Sequence, residues 1–275
     1  MIGYIVDIEF VWGFQARIAG LSKTSPSFYY PPPTTFLGAL AEVIAKENNI
    51  GEDEGKRIIP KLSNNLLAIG WKPLNCIPIK YADINKIIAI KITSGILYPH
   101  PKDLTKSFDS PARGRTILST LDDDAPKIRW FIVFRKDKFI FNGNEIEVNA
   151  DSFWKMHRIS SKESRISVTD VKRVAPVIIK NKSVINYSIP VKEGINLIRG
   201  RGEWRFEYYV DPFEVETYDS QENPLINYLT KKKIILFGSP ILTSILSTPE
   251  YIVEFNNKFA AYKYEKEVVI GRWSK

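Results

Sequence analysis

Pro31, Pro32 and Pro33 stand in a row directly ahead of a helical pattern, and this junction constrains the chain more than any other stretch of it. Three fixed φ angles hold the approach extended, and proline is accommodated at the first helical position because its missing N–H would have no partner there. The spacing therefore predicts a helix that begins near Pro33 or Thr34. Phe36, Leu37, Leu40, Val43 and Ile44 recur on one face of it, and that face must be buried. Thr34 and Thr35 are placed to offer hydroxyls to the free N–H groups of the first turn. Gly38 costs about 1 kcal/mol relative to Ala inside a helix, which points to close approach by another group. Two readings follow: an amphipathic helix lying on a sheet, or one whose N-terminus also receives an anion such as phosphate.

Upstream, Gly3 to Val11 alternates Tyr4, Val6, Ile8 and Phe10 with Ile5, Asp7, Glu9 and Val11, the period of a strand. The long connection from Trp12 to Pro32 carries Arg17, Lys23 and the aromatic run Phe28, Tyr29, Tyr30, and loops of this length are usually functional or mobile. A second helical pattern covers Glu52 to Leu66, after which LLAIGW, CIPIKYADI and KIIAIKITSGIL read as strands. Strand, helix, then strands is the opening of a ferredoxin-like β-α-β-β unit. Leu97 to Lys127 reads as an extended insertion, Lys136-Asp137-Lys138 as a hairpin turn, and Ser152 to Met156 as a short helix. HRISSKESRISVTDVKRV, with His157, Arg158, Lys162, Arg165, Lys172 and Arg173, forms a cationic projection. Further strands alternate with a helical stretch near Gln221 to Leu229. The expected fold is α+β: a ferredoxin-like domain over 1–200 with inserted loops, and a β-rich C-terminal subdomain over 201–275 of the same compact unit.

Of 275 residues, 39 are Lys or Arg and 31 are Asp or Glu, a net charge of +8 that favours a polyanionic partner. The single cysteine, Cys76, excludes an internal disulfide and a CxxC zinc pair, and it reads as a small buried residue in a reducing interior. No apolar run reaches the roughly 18 residues of a membrane span, and the start lacks the basic flank of a signal peptide. A cytoplasmic protein with no membrane partner is expected.

GxxxxGK[ST], GxGxxG after a strand, HExxH and paired CxxC motifs are all missing, so nucleotide hydrolysis, dinucleotide chemistry and structural zinc lose support. Asp122, Asp123 and Asp124 read as a solvated turn before a magnesium site. His100 and His157, the only histidines, are the candidates for acid-base chemistry in a metal-independent ribonuclease. His100 lies between two prolines, and nothing sets His157 beside a nucleophile. The positive signal is Arg, Lys and aromatic residues in irregular segments. Arg113-Gly114-Arg115 and Arg199-Gly200-Arg201 each set two guanidinium groups around a residue that permits close backbone approach, which suits a bent single strand. With Tyr29, Tyr30, Phe108, Trp204 and the HRISSKESR segment they outline a route for RNA; the alternative is scattered surface charge over buried aromatics.

The opening strand with VWGFQAR, the segment SFYYPPPTTFLGALAEVIA, and MHRISSKESRISVTDVKRV with NYSIPV resemble the Cas-five family of CRISPR-associated proteins, and more narrowly its archaeal type I-A form. The resemblance implies a RAMP-superfamily, RRM-like fold with a projecting β-hairpin thumb, and a non-catalytic subunit of the Cascade surveillance complex in antiviral defence. It implies that the chain grips and caps the 5′ repeat-derived handle of the CRISPR RNA, contacts the backbone and large subunits, and meets target DNA only indirectly. The thumb corresponds to Arg158 through Arg173, and Arg17, Tyr30, Thr34 and Thr35 to the handle-facing loop and helix start. RNA-binding residues are thus expected at Arg17, Tyr30, Thr34, Thr35, Arg113, Arg115, Arg158, Arg165, Lys172 and Arg173. No catalytic residue, metal or cofactor is assigned. Two features depart from the family: the C-terminal glycine-rich loop is reduced to VVIGRW, and the Tyr, Lys and His set of precursor-cutting members has no counterpart. The rival class is a metal-independent endoribonuclease that processes precursor CRISPR RNA.

Overall fold

The computed structural model describes residues 1–16, 26–84, 87–88, 91–93, 96–98, 108–109, 112–161, 163–216 and 228–273, those from 82 through 113 by backbone alone. The alternation of the opening segment produces β1 (Ile2–Phe10), and the proline run leads into α1 (Pro33–Glu47), as the spacing predicts. β1 lies inside a seven-stranded sheet whose order is Ile166–Val174, β1, Lys127–Phe134, Leu66–Pro73, Glu267–Arg272, Phe259–Tyr264 and Val177–Ile179. The first four strands in that order, with α1 and a five-residue helix at Ala150–Trp154, make a β-α-β-β-α-β unit in which every neighbouring pair is antiparallel. This is the ferredoxin-like arrangement. The last three strands extend the same sheet, and Ile195–Arg201 pairs with Glu250–Phe255, so strands from both sides of residue 200 share sheets.

The second helical pattern is split into α2 (Glu52–Gly55) and α3 (Ile58–Asn65). Pro60 is the reason: it lacks the N–H that would bond to the Lys56 carbonyl, so one continuous helix cannot pass through it. Residues 136–138 are not the hairpin turn expected from sequence. The turn falls at Asn142-Gly143, between Lys138–Phe141 and Asn144–Glu147, where φ is 49° and 81°. Positive φ at both central positions is the two-residue turn that matches strand twist, and Asn-Gly is its usual sequence.

The projecting hairpin also sits elsewhere than the resemblance implied. Ile166–Val174 is an edge strand of the central sheet, paired along its length with β1. The long excursion is instead Cys76–Ile84 against Ala112–Thr120, in register from Cys76 opposite Thr120 to Ile84 opposite Ala112. Nine paired residues reach about 30 Å. Short ladders, Ile87–Ile88 with Phe108–Asp109 and Lys91–Thr93 with Ile96–Tyr98, continue it, and Gly13–Phe14 adds a third strand at its base. The insertion expected at 97–127 therefore starts at Cys76, and where it is described up to Thr120 it is β-structured.

Both faces of the central sheet are covered. Tyr4, Val6, Ile8 and Phe10 pack with Trp71, Trp130 and the α1 side chains Phe36, Leu40 and Ile44. On the other face Ile5, Leu67, Phe131 and Val133 pack against Ile185, Ile189 and Val253 of the C-terminal strands. That second core also encloses charge. Asp7, opposite Arg129, which is opposite Lys72, begins a row across three strands. Arg129 donates from Nε and Nη2 to the two Asp7 carboxylate oxygens at 2.6 and 2.7 Å, and from Nη1 to Glu267 at 2.9 Å; Lys72 donates to the other Glu267 oxygen. The Asp7 hydrogen bonds raise the Arg129 pKa further despite burial. Burial pushes Glu267 up, but Lys72, Tyr187 and Arg129 outweigh it and hold the carboxyl below its ordinary 4.5.

Removing one member of such a set leaves its partner charged and desolvated, which costs several kcal/mol. Asp7→Asn is expected to lower stability by about 2–3 kcal/mol, read from urea unfolding. Because Glu267 has a depressed folded-state pKa, its contribution is complete above about pH 4.5 and is lost as pH falls through the folded value. Glu267→Gln should be less stable at pH 7 and show a shallower loss below pH 4.5; an acid limb as steep as in the wild type would remove Glu267 from that account.

Candidate nucleic-acid interface

The sequence-predicted cations and helix start do not form one surface. Arg17 lies outside the described residues, as do Lys162, His100 and the side chain of Arg113, whose backbone pairs with Asp83. Tyr30 is fully buried: its hydroxyl donates to the Pro240 carbonyl at 2.9 Å, its ring packs on Trp71, and burial raises its pKa. It is therefore part of the core and has no face for RNA. Phe28 packs on Tyr209 in the same way. Among the described residues, Tyr29 is the one member of the aromatic approach that reaches a cation, with Lys80 Nζ 3.8 Å from its ring centre.

Thr34 and Thr35 occupy the first turn of α1, half-buried. Neither hydroxyl caps the helix; Thr35 and Phe36 donate their backbone N–H groups to Pro32 O at 2.9 and 3.2 Å. Thr35 does line a groove of about 540 Å³ with Gly38, Glu42, Lys46, Arg158 and Ser160. A Cβ added at Gly38 would meet only the tip of Ile59, at 3.8 Å, so packing within the chain does not demand this glycine. Glu42 holds two cations at the groove: Arg158 Nε at 2.9 Å and Lys46 Nζ at 2.7 Å. Burial pushes the Glu42 carboxyl up, and the Lys46 and Arg158 hydrogen bonds outweigh it and lower its pKa.

Next to the groove, Arg158 and Arg165 face each other across a closed loop. Ile159 N–H donates to Ser164 O, Ser164 N–H to Ser161 O, and Ser160 adopts φ of 87° at its tip. The loop is tied to the segment after β1 by Gln15 N–H on Ser164 Oγ at 2.9 Å, by Ser160 Oγ on the Gln15 carbonyl, and by Trp12 Nε1 on the Glu163 carbonyl at 2.9 Å. Arg115, on the hairpin, lies over the same Trp12 ring at 5.9 Å, and its Nε is buried with no acceptor among the described residues. Arg165 is exposed and makes no ion pair among the described residues. Arg115, Trp12 and the 158–165 loop thus converge, beside a groove that Arg158 shares with Thr35.

Lys172 and Arg173 are excluded from this convergence. Eight residues of extended strand separate Arg173 from Arg165, about 26 Å. Lys172 lies over Tyr264 and Arg173 pairs with Asp137 at 2.9 Å. The Arg-Gly-Arg readings also change. At Gly114 an added Cβ would sit 2.4 Å from Ser27 N, so the close approach is made by the chain's own backbone; at Gly200 it would meet the Tyr251 ring at 2.7 Å. Trp12 and Ser160 were not singled out from sequence, and an aromatic directly after a strand end, opening a basic loop, was the available signal.

His157 is exposed, its carbonyl accepting from Ile166 N–H, and no nucleophile is bonded to its ring among the described residues. Asp122 accepts from Asn75 and from Asp124 N–H, and Asp124 pairs with Lys127, which accounts for the acidic run as a turn. Cys76 is buried, with burial pushing its thiol up to about 12. Among the described residues no three His, Cys, Asp or Glu side chains are grouped to hold a metal ion, and no helix is long and apolar enough to cross a membrane.

Neither a scan of family models nor a search of curated proteins finds a match. Among solved structures the chain is similar to a CRISPR protein from Archaeoglobus fulgidus, at 51% identity over 99% of this chain and 100% of that one, with a TM-score of 0.74. Identity at that level over whole chains, on a shared fold, makes this chain a member of the same family of CRISPR proteins.

Proposed function

We propose that the chain is a non-catalytic RNA-binding subunit of a type I-A Cascade complex, of the Cas-five family, that grips and caps the 5′ repeat-derived handle of the CRISPR RNA. The observation that carries this reading is that Trp12 joins the loop bearing Arg158 and Arg165 to Arg115 of the hairpin, beside a groove that Arg158 shares with Thr35. Guanidinium groups recognise phosphate bidentately, and an indole face holds an unpaired base, so the grouping suits a bent single strand. A hairpin about 30 Å long rises from its edge, which supports contacts to neighbouring backbone and large subunits through the same face. The covered sheet explains why the strand would run here and not across the β-surface as in RRM-type recognition. Target DNA is then met only through the guide.

Incubation of the protein with labelled repeat RNA, with and without EDTA, separates the alternatives on one gel. A shift without a cut is expected in both conditions. A discrete metal-independent cut lost in His157→Ala or His100→Ala would instead make the chain the processing endoribonuclease. Arg115→Ala, Arg158→Ala and Arg165→Ala are each expected to weaken handle binding by about tenfold, equivalent to ~1.4 kcal/mol. Unchanged affinity in all three would rule out this interface. Glu42 neutralises Arg158 and Lys46, so Glu42→Gln should tighten binding about two- to threefold at low salt, with the gain fading as salt rises.

A further inference from the structure

At the far end of the sheet from Trp12 lies a second cavity of about 510 Å³, and its chemistry belongs to no part of the proposed handle interface. Arg135, Lys136, Lys138 and Arg173 line it together with two carboxylates, Asp137 and Glu145, which leaves two positive charges uncompensated. The pairing shows which two. Arg173 is held by Asp137 at 2.9 Å and Lys138 by Glu145 at 2.7 Å, whereas Arg135 and Lys136, both exposed, have no ion pair among the described residues.

These two cations are presented by a rigid turn. Asn65 fixes it from three sides: its carbonyl accepts from Arg135 N–H at 2.8 Å, its Oδ1 accepts from Lys136 N–H at 3.1 Å, and its Nδ2 donates to Lys136 O at 2.6 Å. Val148 N–H on the Asp137 carbonyl, at 2.7 Å, holds the next residue. The backbone that carries Arg135 and Lys136 is thus fixed, while their side chains extend into solvent without an ion pair among the described residues. The same cavity includes Phe139, half-buried, and Ile140, 59% exposed, an apolar wall beside the cations. A volume within the usual 300–1,000 Å³ of small-ligand sites, an aromatic wall and two free cations next to two paired ones match a base and sugar carrying a phosphate.

We propose that this cavity is a binding site for a nucleoside phosphate, with Arg135 and Lys136 on the phosphate, Arg173 supporting it, and Phe139 against the base. The ligand is either a free mononucleotide or the phosphorylated end of a strand. The site stands apart from Arg165 by about 26 Å of edge strand, so it does not depend on the handle interface.

Isothermal titration with adenosine 5′-monophosphate is the direct test, with adenosine and inorganic phosphate as separate probes. Saturable binding of the monophosphate is expected, at least about tenfold tighter than either fragment, and reduced at least about tenfold in R135A/K136A with an unchanged melting temperature. Phe139→Leu should weaken the monophosphate more than inorganic phosphate. Competition by 5′-phosphorylated octa-adenylate RNA, but not its 5′-hydroxyl form, would assign the site to a strand end; competition by neither would assign it to the free nucleotide. No saturable binding of the monophosphate, or equal binding by the wild type and R135A/K136A, would overturn the proposal.

Discussion

One aromatic cluster beneath α1 fixes where that helix lies on the sheet. Phe36 stacks on Trp130 at 4.5 Å, Trp130 meets Trp71 at 5.2 Å, and Trp71 is joined by Tyr30, Tyr209 and Phe237. Such pairs add roughly 0.5–1.5 kcal/mol each beyond the area they bury, and all of these rings are fully or almost fully withdrawn from water. Their importance lies in what they connect. Phe36 belongs to α1, Tyr30 to the proline approach, Trp71 and Trp130 to neighbouring central strands, and Tyr209 and Phe237 to C-terminal strands. The direction in which α1 presents Thr35 and Gly38 is therefore set through Phe36 by rings from the proline approach, the central strands and the C-terminal strands.

The opposite face of the sheet has a different logic. Asp7, Arg129, Lys72 and Glu267 lie on four successive strands inside an apolar cover, with two cations side by side between two carboxylates. Buried ion pairs are weak contributors to net stability compared with well-packed apolar residues, but a displaced strand register here would leave charges unpaired in the core. The row thus acts on specificity of pairing: Glu267 can join it only if Glu267–Arg272 comes to lie beside Leu66–Pro73. With that cover in place neither face of the sheet is open to a nucleic acid. What the fold leaves exposed are its margins, namely the α1 groove with Arg158, the loop tied to Trp12, and the base of the hairpin.

The two cationic regions at the ends of Ile166–Val174 then differ in kind. At Arg165 the charges belong to a loop closed on itself and fastened to the segment after β1, beside an indole and an open groove, a geometry suited to a chain passing along a surface. At Arg173 they ring an open depression in which two of the four are neutralised by carboxylates, which leaves Arg135 and Lys136 for a single anion. One edge strand holds both, and its extended backbone keeps them from merging.

Local patterns were legible in the residues themselves. The alternation of Tyr4, Val6, Ile8 and Phe10 and the spacing of Phe36, Leu37, Leu40 and Ile44 behind three prolines determined a strand and a helix with their buried faces, because period and proline geometry act within a few residues. The order of strands and first helix likewise pointed to the ferredoxin-like unit. Tertiary structure alone decided the rest. CIPIKYADI reads as a strand, but its partnership with Ala112–Thr120 closes a loop of nearly thirty residues whose pairing no local period encodes. Tyr30 and Phe28 are chemically as fit for RNA as for a core, and the distant Trp71, Tyr209 and Pro240 drew them inward. Arg165 and Arg173 are close in sequence and share a charge, yet an extended backbone sets them apart, while Arg115 and Trp12, a hundred residues away from each other, were brought together by the pairing of Gly13–Phe14 with the hairpin.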